Sequence, residues 1–343
     1  MRRLLNTLYV LTEGTFLSLD GENVVARLEG SEVGRIPLHS LEAIKTFSRS
    51  GATPALMGAC AERGIALAFF GHSGRFLCDI HGAARGNVLL RKRQCLVSDE
   101  PSASLAVARN FVIGKVFNCK WVLERTLRDH ALRIDVARVE EASDHLSASL
   151  EAARTCETME SLRGIEGDAA ASYFSAYDEL FLRDKEAFSF CGRSRRPPRD
   201  RVNAMLSFLY TILMQDCSAA LEGVGLDPYV GFLHADRPGR RSLALDCMEE
   251  LRPVFVDRFV ATAINNRVVT RDDFVERETG EIRLSDKARR SLLEKWQARK
   301  KETVRHPFLK EKMPWGLVPH AQAQLLSKYI RGELDGYPPF LWK

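Results

Sequence analysis

The sequence lacks several features that would place it in a common class. Its eight cysteines are scattered over 343 residues without a Cys-x-x-Cys pair, so neither a zinc knuckle nor a disulfide framework is predicted. No apolar run approaches the ~18 residues of a membrane-spanning helix. The two arginines after Met1 precede no apolar core of a signal peptide, and no ATP-binding loop is visible. We therefore expect a cytoplasmic protein with free thiols.

Composition and charge indicate an ordinary globular chain. Hydrophobic residues make up 45% and charged residues 28%, and the length suggests two domains. The formal net charge of +5 is too small to indicate a partner. Its distribution is more informative, because the basic excess lies in residues 193–343, whereas residues 89–192 are acidic overall.

The pattern along the chain predicts an α+β protein with a small N-terminal, mainly β domain and a larger all-α domain. Residues 1–85 contain short strand candidates, a hairpin turn at Asp20-Gly21, and one helix capped by Thr53 and ended by Gly64. Residues 86–101 are assigned as a connector. From 102 to 343 the apolar residues recur at helical spacing, as in the ranges 104–126, 200–222 and 242–265.

One candidate for chemistry is Glu166, which lies between Gly164 and Gly167 and precedes a run of small residues. The glycines predict that a backbone or ligand approaches it closely. The alternative is a carboxylate at the start of a helix, stabilised by the helix dipole.

A second candidate region runs from His234 to Glu250. Pro238-Gly239 predicts a turn, and Ser242 is a plausible cap for a helix that carries Asp246, Glu249 and Glu250 on one face. Three carboxylates there would repel one another unless a cation or arginines lay between them. A structural histidine is the alternative interpretation of His234.

Together, Glu166, His234 and Glu249 form a Glu/His/Glu set. Carboxylate and imidazole ligands without thiolates favour Mg²⁺ or Mn²⁺ over zinc. Such an ion can activate an oxygen nucleophile and neutralise the charge on the phosphodiester that it attacks. The sequence therefore predicts metal-dependent chemistry on nucleic acid.

Basic residues near these motifs are candidates for binding the DNA backbone. Residues 287–312 are also basic; a solvated helix face is the alternative there, with Trp296 packing in the core. The proposed DNA-binding residues are Arg193, Arg195, Arg196, Arg199, Arg237, Arg240 and Arg241.

These motifs resemble the CRISPR-associated integrase family that acquires spacers, written here as Cas one. The resemblance covers almost the whole chain and is carried by two motifs, 164–174 around Glu166 and 231–249 from Gly231 to Glu249, together with the helix 199–210. The segments 6–9, 20–23, 54–57 and 337–342 are similar to the type I-C branch.

The resemblance implies an N-terminal β domain followed by an α-helical catalytic domain at 102–343, and it implies an activity. It assigns Glu166, His234 and Glu249 as catalytic metal ligands, with Asp246 as an alternative third ligand or a neighbour of the site. It implies homodimers, two of which flank a dimer of the small partner Cas two, and a Cas four nuclease is a further candidate partner. The expected reaction joins 3′-hydroxyl ends of short duplex DNA (prespacers) to the repeat of a CRISPR array by transesterification.

Two other functions are compatible with the residues. One is a metal-dependent nuclease that acts on branched DNA in repair. The other is a non-catalytic DNA-binding scaffold whose carboxylates belong to a buried ion network.

Overall fold

The computed structural model describes residues 6–71, 74–80, 82, 87–194 and 196–343. It divides into two compact units. The first comprises Met1–Gly86 with Ser285–Glu302, and the second comprises Asn87–Leu284 with Thr303–Lys343. A β-rich N-terminal part followed by a mostly helical part confirms the predicted fold class.

The first unit contains two sheets. Its strands are β1 (Thr7–Val10), β2 (Phe16–Asp20), β3 (Asn23–Leu28), β4 (Ser31–Pro37), β5 (Ala43–Thr46), β6 (Ala66–Phe70) and β7 (Phe76–Ile80). In one sheet, β5 pairs in parallel with β1 and β6, and β7 joins β6 in the antiparallel sense. In the other sheet, β2, β3 and β4 form an antiparallel meander.

Helix α1 (Pro54–Arg63) begins and ends where its sequence predicts. The Thr53 hydroxyl accepts a hydrogen bond from Leu56 N, and Gly64 adopts the left-handed conformation with φ 67°, which glycine tolerates without steric strain. Leu56 and Cys60 on the inner face join the apolar core with Leu17 and Ile44.

The second unit is built mainly from long helices. Its elements are α2 (Val88–Asp99), α3 (Pro101–His130), α4 (Val136–Thr155), α5 (Met159–Ser175), α6 (Arg201–Gly223), α7 (Ser242–Glu249), a π-helical turn (Arg252–Asp257), α8 (Arg258–Asn265), β8 (Phe274–Glu276), β9 (Ile282–Leu284), β10 (Thr303–Arg305), β11 (Lys312–Pro314) and α10 (Val318–Ile330). Helix α3 packs against α4 and α5, and α6 packs against α7 and α10. The strands form two short hairpins, β8–β9 and β10–β11.

The compact units differ from the predicted domain boundaries at two places. The basic helix α9 (Asp286–Lys301) belongs to the first unit, although the sequence interpretation placed it in 102–343. Its Leu292, Leu293 and Trp296 are buried, which agrees with a packing role for Trp296. The predicted connector 86–101 is mostly helix α2, and from Asn87 onward it belongs to the second unit.

Helix α6 is long and apolar enough to cross a membrane by composition alone. However, 72% of its apolar window is buried inside the protein. Leu206, Leu209 and Leu213 are fully buried on it, so the structure uses α6 as a core helix.

Candidate active site

Glu166 lies in the interior of α5 rather than at a helix start. The N-cap of α5 is Thr158, eight residues earlier, so the helix-start interpretation was wrong. No other described segment approaches Gly164 or Gly167 closely, because a Cβ atom built on either glycine meets nothing within 4 Å outside its own helix backbone; the close approach of a ligand stays a prediction. The two glycines instead leave the helix surface beside Glu166 bare.

The Glu166 carboxylate accepts a hydrogen bond from the buried Lys115 of α3. Lys115 Nζ also lies 2.7 Å from Oε2 of Glu249 at the end of α7. Burial alone would lower the pKa of Lys115, but Glu249 and Glu166 outweigh it and raise the pKa. One ammonium therefore lies between the two predicted carboxylate ligands.

Glu249 is almost completely buried and is held by a second cation. Arg252 Nη2 forms an ion pair with its Oε1 at 3.0 Å. Burial favours the neutral acid, but Arg252, Lys115 and His234 together lower the pKa of Glu249 to about 2. The carboxylate is thus ionised over the physiological pH range.

His234 is placed by a tight loop before α7. A Cβ on Gly231 would lie 2.6 Å from Ser242 Cβ and 2.7 Å from His234 O, so only glycine fits. Ser242 does not cap α7 as predicted, since its hydroxyl donates to Ala235 O at 3.0 Å and the N-cap is Arg241. The loop folds back on the start of the helix.

Asp246 organises this loop from a fully buried position. Its Oδ2 accepts from Phe232 N at 2.7 Å and Leu233 N at 3.0 Å. Its Oδ1 accepts from His234 N at 3.0 Å and faces His234 Nδ1 at 2.6 Å. Because an ionised carboxylate only accepts, Nδ1 carries the proton. Nε2 is then directed towards Glu249, 3.9 Å from its Oε1.

The three carboxylates of α7 thus point to three different environments. Glu250 accepts from Tyr337 OH at 2.5 Å, Gln322 Nε2 at 2.8 Å and Phe340 N at 2.7 Å. Burial raises the pKa of Glu250 to about 7. The repulsion expected on this helix face is relieved because Asp246 binds the loop, Glu250 binds the C-terminal segment, and Lys115 and Arg252 neutralise Glu249.

An aromatic and ionic network lies behind Arg252. The guanidinium carbons of Arg252 and Arg193 lie 4.9 Å and 5.2 Å from the centre of the Tyr210 ring. The Tyr210 hydroxyl donates to Asp257 Oδ1 at 2.5 Å. Burial raises the pKa of Asp257 to about 6. Tyr210 therefore connects the basic segment at Arg193 with the cation that holds Glu249.

The chemistry of the donor set fits a hard or borderline divalent ion. Glu166 and Glu249 offer carboxylate oxygens, and His234 offers Nε2. Within the described residues, Glu249 Oε2 accepts no hydrogen bond of good geometry, so its partner is the nearby charge of Lys115. As these side chains stand, no three His, Cys, Asp or Glu residues of the described chain are gathered tightly enough to hold an ion. Lys115 lies where the carboxylates converge.

A cleft of about 800 Å³ opens beside His234. Arg163, on α5 one turn before Glu166, lines it and donates to Leu233 O at 2.8 Å. Arg109 of α3 lines it as well and donates to Cys156 O. His234 is one of the residues that line this cleft.

The predicted DNA-binding arginines differ in their exposure to solvent. Arg196, Arg199 and Arg237 are exposed and Arg240 is half-buried, whereas Arg195 lies outside the described residues. Arg193 is half-buried against Tyr210 and Phe174. Arg241 is 7% exposed and donates to Gln215 at 3.0 Å and Ser218 at 2.9 Å, so its guanidinium binds the protein interior rather than facing solvent.

Sequence reasoning missed Lys115, Arg252 and Tyr210. A signal existed for two of them. Arg252 follows Glu249 at i+3, a spacing at which opposite charges meet on a helix. Lys115 is a charged residue within the apolar stretch 111–117, where burial requires a partner. Tyr210 carried no such signal.

Comparison with known proteins identifies the class. A family model described as "CRISPR associated protein Cas1" matches residues 8–298. A Rhodospirillum rubrum protein named "CRISPR-associated endonuclease Cas1 2" is 48% identical over the full length of both chains. A Chlorobaculum tepidum protein named "CRISPR-associated endonuclease Cas1 1" is 46% identical, again over all of both chains. With the fold and site described above, these relatives define a CRISPR-associated endonuclease. The chain belongs to the Cas1 family, the Cas one family of the motif resemblance.

Further matches extend the comparison. A Geobacter sulfurreducens "CRISPR-associated exonuclease Cas4/endonuclease Cas1 fusion" is 34% identical, over 97% of this chain and 60% of that protein. Among solved structures, a Cas1 protein from Thermotoga maritima has a TM-score of 0.82 at 22% identity, covering 95% of this chain and 97% of that chain. A casposase bound to integration product reaches 0.84 at 21%, covering 98% and 93%. A Cas6-RT-Cas1–Cas2 complex reaches 0.82 at 24%, covering 99% and 36%. At these identities the structures establish the fold.

Proposed function

We propose that the chain is a metal-dependent DNA integrase and endonuclease of CRISPR adaptation. It would join the 3′-hydroxyl ends of short duplex DNA to the repeat of a CRISPR array by transesterification. The observation that carries this proposal is the position of Glu249, which shares the Lys115 ammonium with Glu166 and lies 3.9 Å from Nε2 of His234. The bare surface of α5 and the cleft beside His234 add support, because a DNA backbone needs open access to such a site.

Glu166, Glu249 and His234 Nε2 would hold Mg²⁺ or Mn²⁺. When bound, that ion polarises the attacking hydroxyl and neutralises charge that develops on the phosphodiester. Asp246 keeps the proton of His234 on Nδ1, so that Nε2 has its lone pair available for a ligand. Arg252 keeps Glu249 ionised in a buried position. These residues supply a preorganised electrostatic environment before DNA arrives.

DNA would be held by the exposed members of the basic segments. Arg196, Arg199, Arg237 and Arg240 would contact phosphates, and Arg195 belongs to the same proposal. Arg193 would couple this contact to the site through Tyr210. Phosphate contacts of this kind position a duplex without reading its sequence.

We also propose that the protein acts in the cytoplasm as a homodimer, that a Cas2 dimer bridges two such homodimers, and that Cas4 is a further partner. A solved structure of the same fold is a Cas1–Cas2 complex, and one relative is a Cas4/Cas1 fusion. These support the choice of partners.

The test is strand transfer of a labelled duplex into a repeat-bearing plasmid, with Cas2 and Mn²⁺ present. Glu166→Ala, His234→Ala and Glu249→Ala should each lower the rate by about 100-fold or more, while DNA binding persists. Asp168→Ala is the matched control on α5, because Asp168 is exposed and pairs with His145; it should act like the unaltered chain.

Retained strand transfer in the Glu166 and Glu249 variants would overturn the site. The other two functions have distinct signatures. A repair nuclease would cut branched DNA in a Glu166-dependent way without joining a duplex to the repeat. A scaffold would bind DNA with no metal-dependent turnover, and the three substitutions would lower only its stability.

A further inference from the structure

Lys115 is the residue of the site that the proposed reaction does not use. It lies on the inner face of α3, next to Gly114. A Cβ on Gly114 would be 2.9 Å from Glu250 Cβ, so glycine lets α3 approach α7 closely. This approach brings the Lys115 ammonium to Glu249.

The ammonium lies where the two carboxylates converge. It donates to Glu166 Oε1 and lies 2.7 Å from Glu249 Oε2. The Lys115 side chain is only 11% exposed and that of Glu249 only 4%. Oxygen ligands of Mg²⁺ lie at roughly 2.0–2.1 Å from the ion, so an ion bridging these carboxylates would occupy nearly the position of Nζ.

Charge balance indicates the same competition. Two carboxylates, Glu166 and Glu249, face two cations, Lys115 and Arg252. Adding a divalent ion while both cations stay would leave an excess of two positive charges in a mostly buried site, which is strongly unfavourable. Arg252 is fixed between Glu249 and the Tyr210 ring, whereas a lysine chain can turn on its four-carbon stem.

We propose that Lys115 is a built-in counter-cation, which holds Glu166 and Glu249 together in the metal-free chain and must be displaced when the metal binds. This inference rests on the proposed metal site and concerns how that site is regulated. Lys115 would set the metal concentration at which the site is loaded. It would also keep the buried Glu249 and the half-buried Glu166 from destabilising the metal-free fold.

The experiment measures Mn²⁺ binding without DNA, by calorimetry and by the EPR signal of free Mn²⁺. Lys115→Met and Lys115→Gln should each bind Mn²⁺ about tenfold or more tightly than the unaltered chain. Lys115→Arg should bind no more tightly than the unaltered chain. The matched control is Lys120→Met on the same helix, where Lys120 pairs with the partly exposed Glu124; its affinity should not change.

Thermal unfolding supplies a second readout. In EDTA, Lys115→Met should have a lower melting temperature than the unaltered chain. Mn²⁺ should raise the melting temperature of Lys115→Met by more than it raises that of the unaltered chain. If Lys115→Met does not fold in EDTA, Lys115→Gln, which can still donate to Glu166, carries the binding test. Unchanged or weaker Mn²⁺ binding in the neutral variants would overturn the inference.

The same binding measurements distinguish a failure of this inference from a failure of the proposed function. Suppose that Glu166→Ala abolishes Mn²⁺ binding but that the neutral Lys115 variants bind Mn²⁺ no more tightly than the unaltered chain. This result would contradict the role of Lys115 and still support the metal site. Absence of Glu166-dependent binding in every variant would overturn both.

Discussion

Asp246 holds His234 through its Nδ1 at 2.6 Å and leaves the opposite ring nitrogen facing Glu249. The same carboxylate accepts hydrogen bonds from three successive backbone amides of the loop. It therefore determines both where the imidazole lies and which nitrogen carries the proton. Asp246 is saturated by these four donors, which favours Glu249 as the third ligand and Asp246 as a positioning residue.

Asp246→Asn should weaken Mn²⁺ binding and strand transfer by about 10–100-fold. An amide offers one acceptor oxygen to four donors, so the loop loses partners and the ring can turn. Nitrogen-15 NMR of the imidazole would report the tautomer directly. The control is Asp236→Asn, because Asp236 is exposed on the same loop and binds Gly231 N at 3.0 Å. Unchanged Mn²⁺ affinity in Asp246→Asn would contradict the positioning role.

Gly164→Ala and Gly167→Ala should raise stability and lower activity. Alanine in a helix interior is favoured over glycine by about 0.5–1 kcal/mol, and neither added methyl group meets a described atom within 4 Å. A methyl group on this surface would obstruct a DNA backbone that approaches Glu166. Urea unfolding and strand transfer test the two effects. Gly58→Ala in α1 is the control, since it is equally unobstructed and should stabilise without any loss of activity. Full activity in both α5 variants would show that DNA does not pass there.

The arginines should separate into binding and structural residues. Arg196→Glu with Arg199→Glu should weaken DNA binding and reduce its dependence on salt, because each lost phosphate contact releases one counterion fewer. Arg241→Ala should instead lower the free energy of unfolding by about 2–4 kcal/mol, since it leaves buried partners unsatisfied. Binding titrations at several salt concentrations and urea unfolding measure these. If the salt dependence of DNA binding is unchanged in the double variant, Arg196 and Arg199 do not contact phosphates and their role is structural.

Glu250 should make stability depend on pH. Its pKa of about 7 in the folded chain lies above the ordinary 4.5, so between these values the unfolded chain loses a proton that the folded chain keeps. The unaltered chain should therefore lose stability as pH rises through this window, by about 3 kcal/mol in all. Above the window the loss is complete.

Urea unfolding of the unaltered chain and Glu250→Gln, at about pH 5 and about pH 8, isolates this contribution. The difference between the two proteins should change across the window. The exposed Glu278→Gln serves as the control. A difference independent of pH would mean that Glu250 is ionised throughout.

Local signals were sufficient for much of the fold. The cap at Thr53 and the left-handed Gly64 specify α1 within a few neighbouring residues, and apolar spacing specifies α3 and α6. The placement of α9 in the first unit could not be predicted in this way, because it depends on which distant core accepts Leu292 and Trp296. The four short strands of the second unit are too brief to show a period.

The site was predictable as a set of residue types but not as an arrangement. The residues Glu166, His234 and Glu249 are visible in their motifs. The different environments of Glu249 and Glu250 depend on partners more than 70 residues away, which are Lys115 for Glu249 and Gln322 and Tyr337 for Glu250. Lys115 reaches Glu249 across 134 positions, and no local pattern contains that contact.

The π-helical turn Arg252–Asp257 also requires a fixed number of residues between Arg252 and Asp257. Each α-helical residue advances the winding by about 100°, and a π turn accommodates one residue more than an α turn does. Deleting a single residue there would restore α-helical winding and swing Asp257 away from the Tyr210 hydroxyl, while Arg252 stayed beside Glu249. The spacing between these two side chains is therefore as much a part of the site as their chemical identity, and an insertion or deletion here would be more damaging than many substitutions.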